Sequence, residues 1–351
     1  MAHSKNDAFE SRKEDHIRLS LDPSHQSDSK NGLERICLIH EALTELNFSE
    51  VDTSLQILKQ KFSAPFFVSS MTAGNAQGLE INKALARACA QENILMALGS
   101  QKRELTDKEA AKEWATIRRE ISDLHLISNI GLAEVIKYPA QQVLQIVENA
   151  KALALFVHLN PLQEVIQPEG NPDFQGGLKA LAELVRQSPV PVLVKEVGCG
   201  LGPKTLQLLS QTGIYAVDVA GLGGTHWGRI EGARHAEESE GQRLATSFAN
   251  WGLSTLSSLN FAKNHSAKMQ VWASGGVRNG LEVAKLIAVG AQMVGAAQPF
   301  LKAAVDEVAG DSGRVVSEFR VWKKELQTAL FCTGSKNLNE LNEKKVIYES
   351  R

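Results

Sequence analysis

From residue 64 onward the chain repeats one texture eight times: a short apolar run ends in small or polar residues, and a longer segment with helical apolar spacing follows. The runs are PFFVSSM (65–71), ILMALGS (94–100), LHLISNI (124–130), LALFVHL (153–159), VPVLVKEV (190–197), YAVDVA (215–220), MQVWASG (269–275) and AQMVGA (291–296). The spacing predicts helices over 78–92, 139–150, 175–187, 203–212, 252–264 and 279–289. Runs apolar on both faces belong in a parallel sheet covered by helices. Eight such units in about 250 residues match a closed (β/α)8 TIM barrel in the α/β class. Strand order cannot be read from one sequence, so an open doubly wound sheet stays as the alternative. Residues 61–351 are read as the barrel with C-terminal helices, and residues 1–60 as an arm and extension packing on it. The stretch 22–32, DPSHQSDSKNG, is turn-rich and is expected to be mobile.

Composition narrows the functional classes. A net charge of -2 over 351 residues, with signs interspersed, leaves no footprint for nucleic acid. Four cysteines lie far apart without a C-x-x-C pair, which argues against a zinc site or a disulfide framework and suits a reducing cytoplasm. No apolar run approaches the roughly 20 residues that span a bilayer, so no membrane partner is expected.

In a barrel, ligands bind where strands end, and the residues there are polar for positions abutting apolar runs. VWASGGVRNG places Gly275-Gly276 and Arg278 after run seven, and MVGAAQPF places Gly295-Ala296-Ala297 after run eight. Small residues at these two adjacent ends let backbone N–H groups approach an anion at a helix N-terminus, as in the phosphate sites of many barrels. Lys195 interrupts an otherwise apolar strand and is costly to bury unless it faces an anion or a polar ligand. A flavin ring with a phosphate tail satisfies both observations, with the lysine at the pyrimidine edge. The alternative is a lysine that snorkels to the barrel rim. After run four, HLNPLQEVIQPEG gathers His158, Asn160, Gln163 and Glu164 on a proline-fixed loop. One carboxylate among neutral amides suits a hard cation such as Mg2+ that shares substrate phosphates.

The stretches RKEDHI, SSMTAGN, GSQ, SNIGL, HLNPLQE, VLVKEVGCG, DVAGLGGTHW, FANWG and SGGVRNG, in this order, resemble type 2 isopentenyl diphosphate isomerase. The resemblance implies an FMN-dependent (β/α)8 barrel, homotetrameric or homo-octameric and cytoplasmic, that interconverts isopentenyl and dimethylallyl diphosphate using reduced FMN, NADPH and Mg2+. By match, FMN would contact Ser70, Met71, Thr72, Ser100, Asn129, Lys195, Thr225, Gly275, Gly276, Arg278, Ala296 and Ala297. The diphosphate substrate would meet Arg12, Lys13, Ser100, Gln101, Lys102 and Gln163. Glu164 would ligate Mg2+, and Gln163, His158 and Lys195 would serve catalysis. Four positions depart from the family pattern: Lys102 for arginine, Ala220 for serine, Ala73 for glycine and Asn250 for aspartate. The rival reading is a flavin-dependent 2-hydroxy-acid oxidoreductase, with His226 as base and Arg229 as carboxylate anchor in GGTHWGRIEGAR.

Overall fold

A computed structural model describes residues 2–71, 76–107, 109–344 and 346–349, with side chains placed from residue 12 onward except at 76 and 77. Eight parallel strands close into a barrel in sequential order: β1 (Phe66–Val68), β2 (Leu95–Ala97), β3 (Leu126–Gly131), β4 (Ala154–His158), β5 (Val192–Lys195), β6 (Ala216–Asp218), β7 (Gln270–Ser274) and β8 (Met293–Ala296). Each predicted run contains one of them, except that β3 extends one residue past its run, to Gly131. Closure between β8 and β1 rules out the open sheet.

Two separate environments cover the strands. Inside, Phe67, Phe156 and Trp272 pack as an aromatic triplet, with ring centroids 5.4 to 6.1 Å apart. Truncating one of these rings would cost about 3–5 kcal/mol, since a packed barrel interior cannot collapse around the void. Outside, Val68, Met96, Leu126 and Val194 pack under the surrounding helices. The hairpin of Leu55–Ile57 and Gln60–Phe62 closes the end where the strands begin, inserting Ile57 and Phe62 beneath the triplet. Its two-residue loop, Leu58-Lys59, has φ of 49° and 60°, the mirror-image turn that suits the twist of a hairpin.

At the opposite end the register sets the chemistry. Gly131 pairs with His158, His158 with Lys195, and Lys195 with Asp218, so four consecutive strands deliver neighbouring residues to one rim.

The N-terminal segment holds one element that the sequence did not place and one stretch that differs from expectation. Ala2–Leu21 is a helix, and its buried face carries Lys13, His16, Ile17 and Ser20. That face is mixed because it covers a polar cavity instead of a core, so apolar periodicity could not reveal it. The stretch expected to be mobile is tied down. Ser27 N–H donates to Gly224 O at 2.7 Å, and Asn31 Nδ2 donates to Gly276 O at 2.9 Å.

Candidate active site

Two cavities open at the rim and share one wall, made of Ser70, Lys195, Val197 and Trp227. The first is lined by the glycine loops after β6, β7 and β8, and includes Gly275, Gly276, Arg278, Ala296, Ala297 and Thr225. Gly275 and Gly276 adopt φ of 109° and 73°, a region that favours glycine. A Cβ on either would strike backbone oxygen of the loop after β6, Gly221 O and Gly223 O respectively. Their smallness therefore serves loop-on-loop packing, a use beyond the anion approach expected of them. Arg278 reinforces the same joint, donating to Gly223 O at 3.1 Å and Gly276 O at 2.8 Å. The helix whose start lines this cavity is Gln298–Val308; the one after Arg278, Gly280–Val289, has its N-terminus capped by Asn279. Without a side-chain cap at Ala297, the first turn of Gln298–Val308 leaves N–H groups that suit an anion. The buried hydroxyls of Ser69 and Ser70 border this cavity without a hydrogen-bond partner. A buried hydroxyl without a partner is expensive, so a polar ligand that supplies one fits here.

The second cavity is rimmed by cations. Arg12 and Lys13 reach it from the N-terminal helix, Lys102 from the loop after β2, and Lys195 from β5. Ser100, Met71, Asn129, His158, Gln163 and Glu164 complete it. Burial, aided by the neighbouring Arg12 charge, pulls Lys13 down to about 8. Lys195 is 6% exposed and donates to Glu196 O at 2.7 Å. Burial lowers its pKa, and the charges of Asp218 and Glu196 oppose that. Lys102 pairs with the Glu134 carboxylate at 2.6 Å. His158 Nδ1 lies 3.0 Å from Asn129 Oδ1, so that nitrogen carries the proton. Burial, then the charges of Lys195, Lys13 and Lys102, push its pKa to about 3, leaving a neutral imidazole.

The amides of this cavity are oriented by acceptor-only carboxylates at either end. Asn160 Nδ2 donates to Glu164 Oε1 at 2.9 Å and Gln163 Oε1 at 3.1 Å, and Gln163 Nε2 donates to Glu231 Oε1 at 2.9 Å. Glu231 is fully buried on the helix Trp227–Gly232. His16 Nε2 lies 3.1 Å from it and Arg234 Nη1 2.6 Å. Burial would raise its pKa, yet these partners hold it at about 2. Burial also lowers the His16 pKa, so near neutrality Arg234 is the cation that keeps Glu231 ionised. Asn160 Oδ1 remains buried without a partner beside Glu164.

The expected residues line the two cavities with two exceptions, although Met71, Ser100 and Asn129, expected at FMN, line only the cation-rimmed one. Thr72 lies outside the described residues, as does the departure at Ala73. Gln101 does not line either cavity. It is 2% exposed, its Nε2 donates to Glu104 at 2.9 Å and its Oε1 accepts from Asn129 N–H, which turns it into the barrel wall. Glu231, His16, Ser69 and Trp227 were missed. A lone glutamate in a polar stretch carries no spacing signal, and only its place after the THW motif hinted at it.

His226 and Arg229 do not form the oxidase arrangement. His226 is fully buried and its Nε2 lies 3.2 Å from Trp251 O, while Arg229 is held by Asp28 and by Asn250 Oδ1 at 2.8 Å. Neither lines either cavity. Asp28 supplies the carboxylate that the departure at Asn250 removes.

A model of the FMN-dependent dehydrogenase family matches residues 22–159 and 128–348. Relatives named isopentenyl-diphosphate delta-isomerase include one from Bdellovibrio bacteriovorus, 51% identical over 97% of this chain and 99% of its own. Another from Legionella pneumophila (strain Corby) is 47% identical over 96% and 97%. A third, from Nostoc sp., is 39% identical over 95% and 94%. Among solved structures, a putative lactate oxidase from Pediococcus acidilactici superposes with a TM-score of 0.67 at 15% identity, covering 99% of this chain and 95% of that one. A flavocytochrome b2 variant gives 0.67 at 18% identity over 94% and 81%. At such identity these structures speak for the fold alone. With near-complete coverage at up to 51% identity, this chain belongs to the FMN-dependent, type 2 isopentenyl-diphosphate delta-isomerase family.

Proposed function

We propose that the protein interconverts isopentenyl diphosphate and dimethylallyl diphosphate in isoprenoid biosynthesis, with FMN in the glycine-lined cavity and the diphosphate in the cation-rimmed one. The observation that carries this is the shared wall. Ser70, Lys195, Val197 and Trp227 face both cavities, so two ligands would meet across them. FMN fits the first cavity through the unpartnered Ser69 and Ser70 hydroxyls and the helix start at Gln298. Lys195 would lie at its pyrimidine edge, where a cation favours the anionic reduced form. Reduced FMN, when bound, supplies the acid–base group that adds a proton at one carbon and removes one at another.

The chain's own residues do the rest. Arg12, Lys13 and Lys102 neutralise the diphosphate, and Lys102 exchanges Glu134 for it. Gln163, with its amide direction fixed, orients the allylic end. Neutral His158 positions substrate without drawing on the cations. Met71 and Trp227 offer an apolar wall that keeps water from the reacting carbons. Among the described residues no group of three or more His, Cys, Asp or Glu could hold a metal alone. Mg2+ needs fewer, since diphosphate oxygens complete its shell. Glu164, with the unpartnered Asn160 Oδ1 beside it, supplies suitable oxygens. NADPH as reductant, a homo-oligomeric state and a cytoplasmic setting rest on the resemblance. No helix among the described residues is long and apolar enough to cross a membrane. Residues 1–60 serve as the arm that lays Arg12 and Lys13 over the barrel.

The test is an anaerobic incubation of the FMN-loaded, reduced protein with isopentenyl diphosphate and Mg2+, followed by NMR. Dimethylallyl diphosphate should accumulate to equilibrium. No conversion, together with turnover of a 2-hydroxy acid by the oxidised protein, would overturn the assignment in favour of the oxidoreductase.

A further inference from the structure

Asp218 ends β6 and takes no part in the scheme above. It is fully buried and lines neither cavity. Ser274 Oγ, from β7, lies 2.8 and 2.9 Å from its two carboxylate oxygens, and Ala220 N–H donates to Oδ1 at 3.2 Å. Such a carboxylate is costly inside a barrel unless a cation shares its surroundings. The cross-strand register supplies one: Lys195 on β5 lies beside Asp218, near enough for the two charges to act on each other without a direct ion pair. Lys195 is also the charged member of the four residues that face both cavities. Its bond to Glu196 O fixes its direction, but a neutral carbonyl balances no charge.

We propose that Asp218, clamped by Ser274, is a positioning residue that holds Lys195 in its charged form at the flavin face. The proposal rests on Lys195 facing the flavin, as argued above. The groups around Lys195 leave this role to Asp218. Glu196, next on the same strand, turns its carboxylate onto the N–H groups of Val197, Gly198 and Cys199. His158, from β4, is neutral. Lys13 and Lys102, across the cavity, are cations and cannot support a third. Burial lowers the Lys195 pKa and the Asp218 charge is the largest opposing influence; burial raises the Asp218 pKa and Lys195 opposes that in turn. Removing the Asp218 charge therefore makes Lys195 release its proton at lower pH.

The experiment follows the spectrum of the oxidised, FMN-loaded protein, whose flavin ring does not itself ionise there, from about pH 6 to 9, below the ordinary lysine pKa of about 10.4. Deprotonation of Lys195 appears as a step in the flavin absorbance. Asp218→Asn, which keeps the shape, should move that step down by at least one pH unit, a tenfold loss of proton affinity. Ser274→Ala should move it the same way by less, and stands in if Asp218→Asn does not fold. Lys195→Met should abolish the step, alone and combined with Asp218→Asn. If the step disappears with Lys195→Met yet stays in place in the Asp218 and Ser274 variants, the role of Asp218 is overturned. If the step survives Lys195→Met, the placement of Lys195 at the flavin is what fails.

Discussion

Glu231→Gln isolates the orientation of Gln163. In the native protein Glu231 accepts at both oxygens, Oε1 from Gln163 and Oε2 from Arg234. A glutamine has one oxygen and one NH2. Whichever way it turns, a donor meets a donor, at Gln163 or at Arg234. Leaving one buried group unsatisfied costs about 1–3 kcal/mol. Arg234 keeps Glu169 at 3.2 Å and so can tolerate part of the loss. Gln163 has no such reserve, because reversing its amide would point NH2 at Asn160 Nδ2. The disturbance should therefore settle on Gln163. We expect kcat/KM to fall about 10²-fold, roughly 2.7 kcal/mol at about 1.36 kcal/mol per decade. FMN content should not change, since Glu231 lines neither cavity. The assay is steady-state isomerisation by FMN-replete protein, with urea unfolding in parallel. A variant less stable by about 1–2 kcal/mol but with kcat/KM within about threefold of wild type would make Glu231 a packing residue and refute the reasoning.

Three further outcomes follow from the same geometry. Lys13 titrates at about 8 and is charged below that value, so KM for the diphosphate should rise as pH passes through it, and Lys13→Arg should remove that limb. Glu164→Gln should cut activity about 10²-fold and raise the Mg2+ requirement with FMN retained; turnover insensitive to EDTA, with a fully active variant, would remove the metal from the scheme. Gly276→Ala should release FMN and lower Tm, because its φ of 73° and the adjacent Gly223 backbone leave no place for a methyl group; unchanged flavin content on gel filtration would contradict the cradle.

Much of the barrel was legible because runs apolar on both faces have few other uses. The polar residue ending each run had to point toward the mouth. His158, Lys195 and Gly275 were found on that argument, and the strand register places the first two side by side. What escaped notice lay where position carries no periodic signal. Gln101 follows β2 like its neighbour Ser100, but its amide could be satisfied in the wall or in the cavity, and only coordinates separate the two. The N-terminal helix buries a lysine and a histidine, so its pattern reads as solvent-exposed. Glu231 is recognisable only once Gln163 and, from a helix some two hundred residues earlier, His16 are brought to it.

The joint between the N-terminal stretch and the glycine loops bears on how far this barrel can be treated as a transplantable module. Asn31 holds the Gly276 carbonyl, its backbone fills the space a side chain on Gly223 would need, and Gln26 bridges to Thr225. A fragment cut at residue 61 would retain all eight strands and its aromatic interior. It would lack the strap that fastens two of the three loops lining the glycine-rich cavity. Exchanging barrels between relatives should therefore carry residues 22–35 along with the loops they bind.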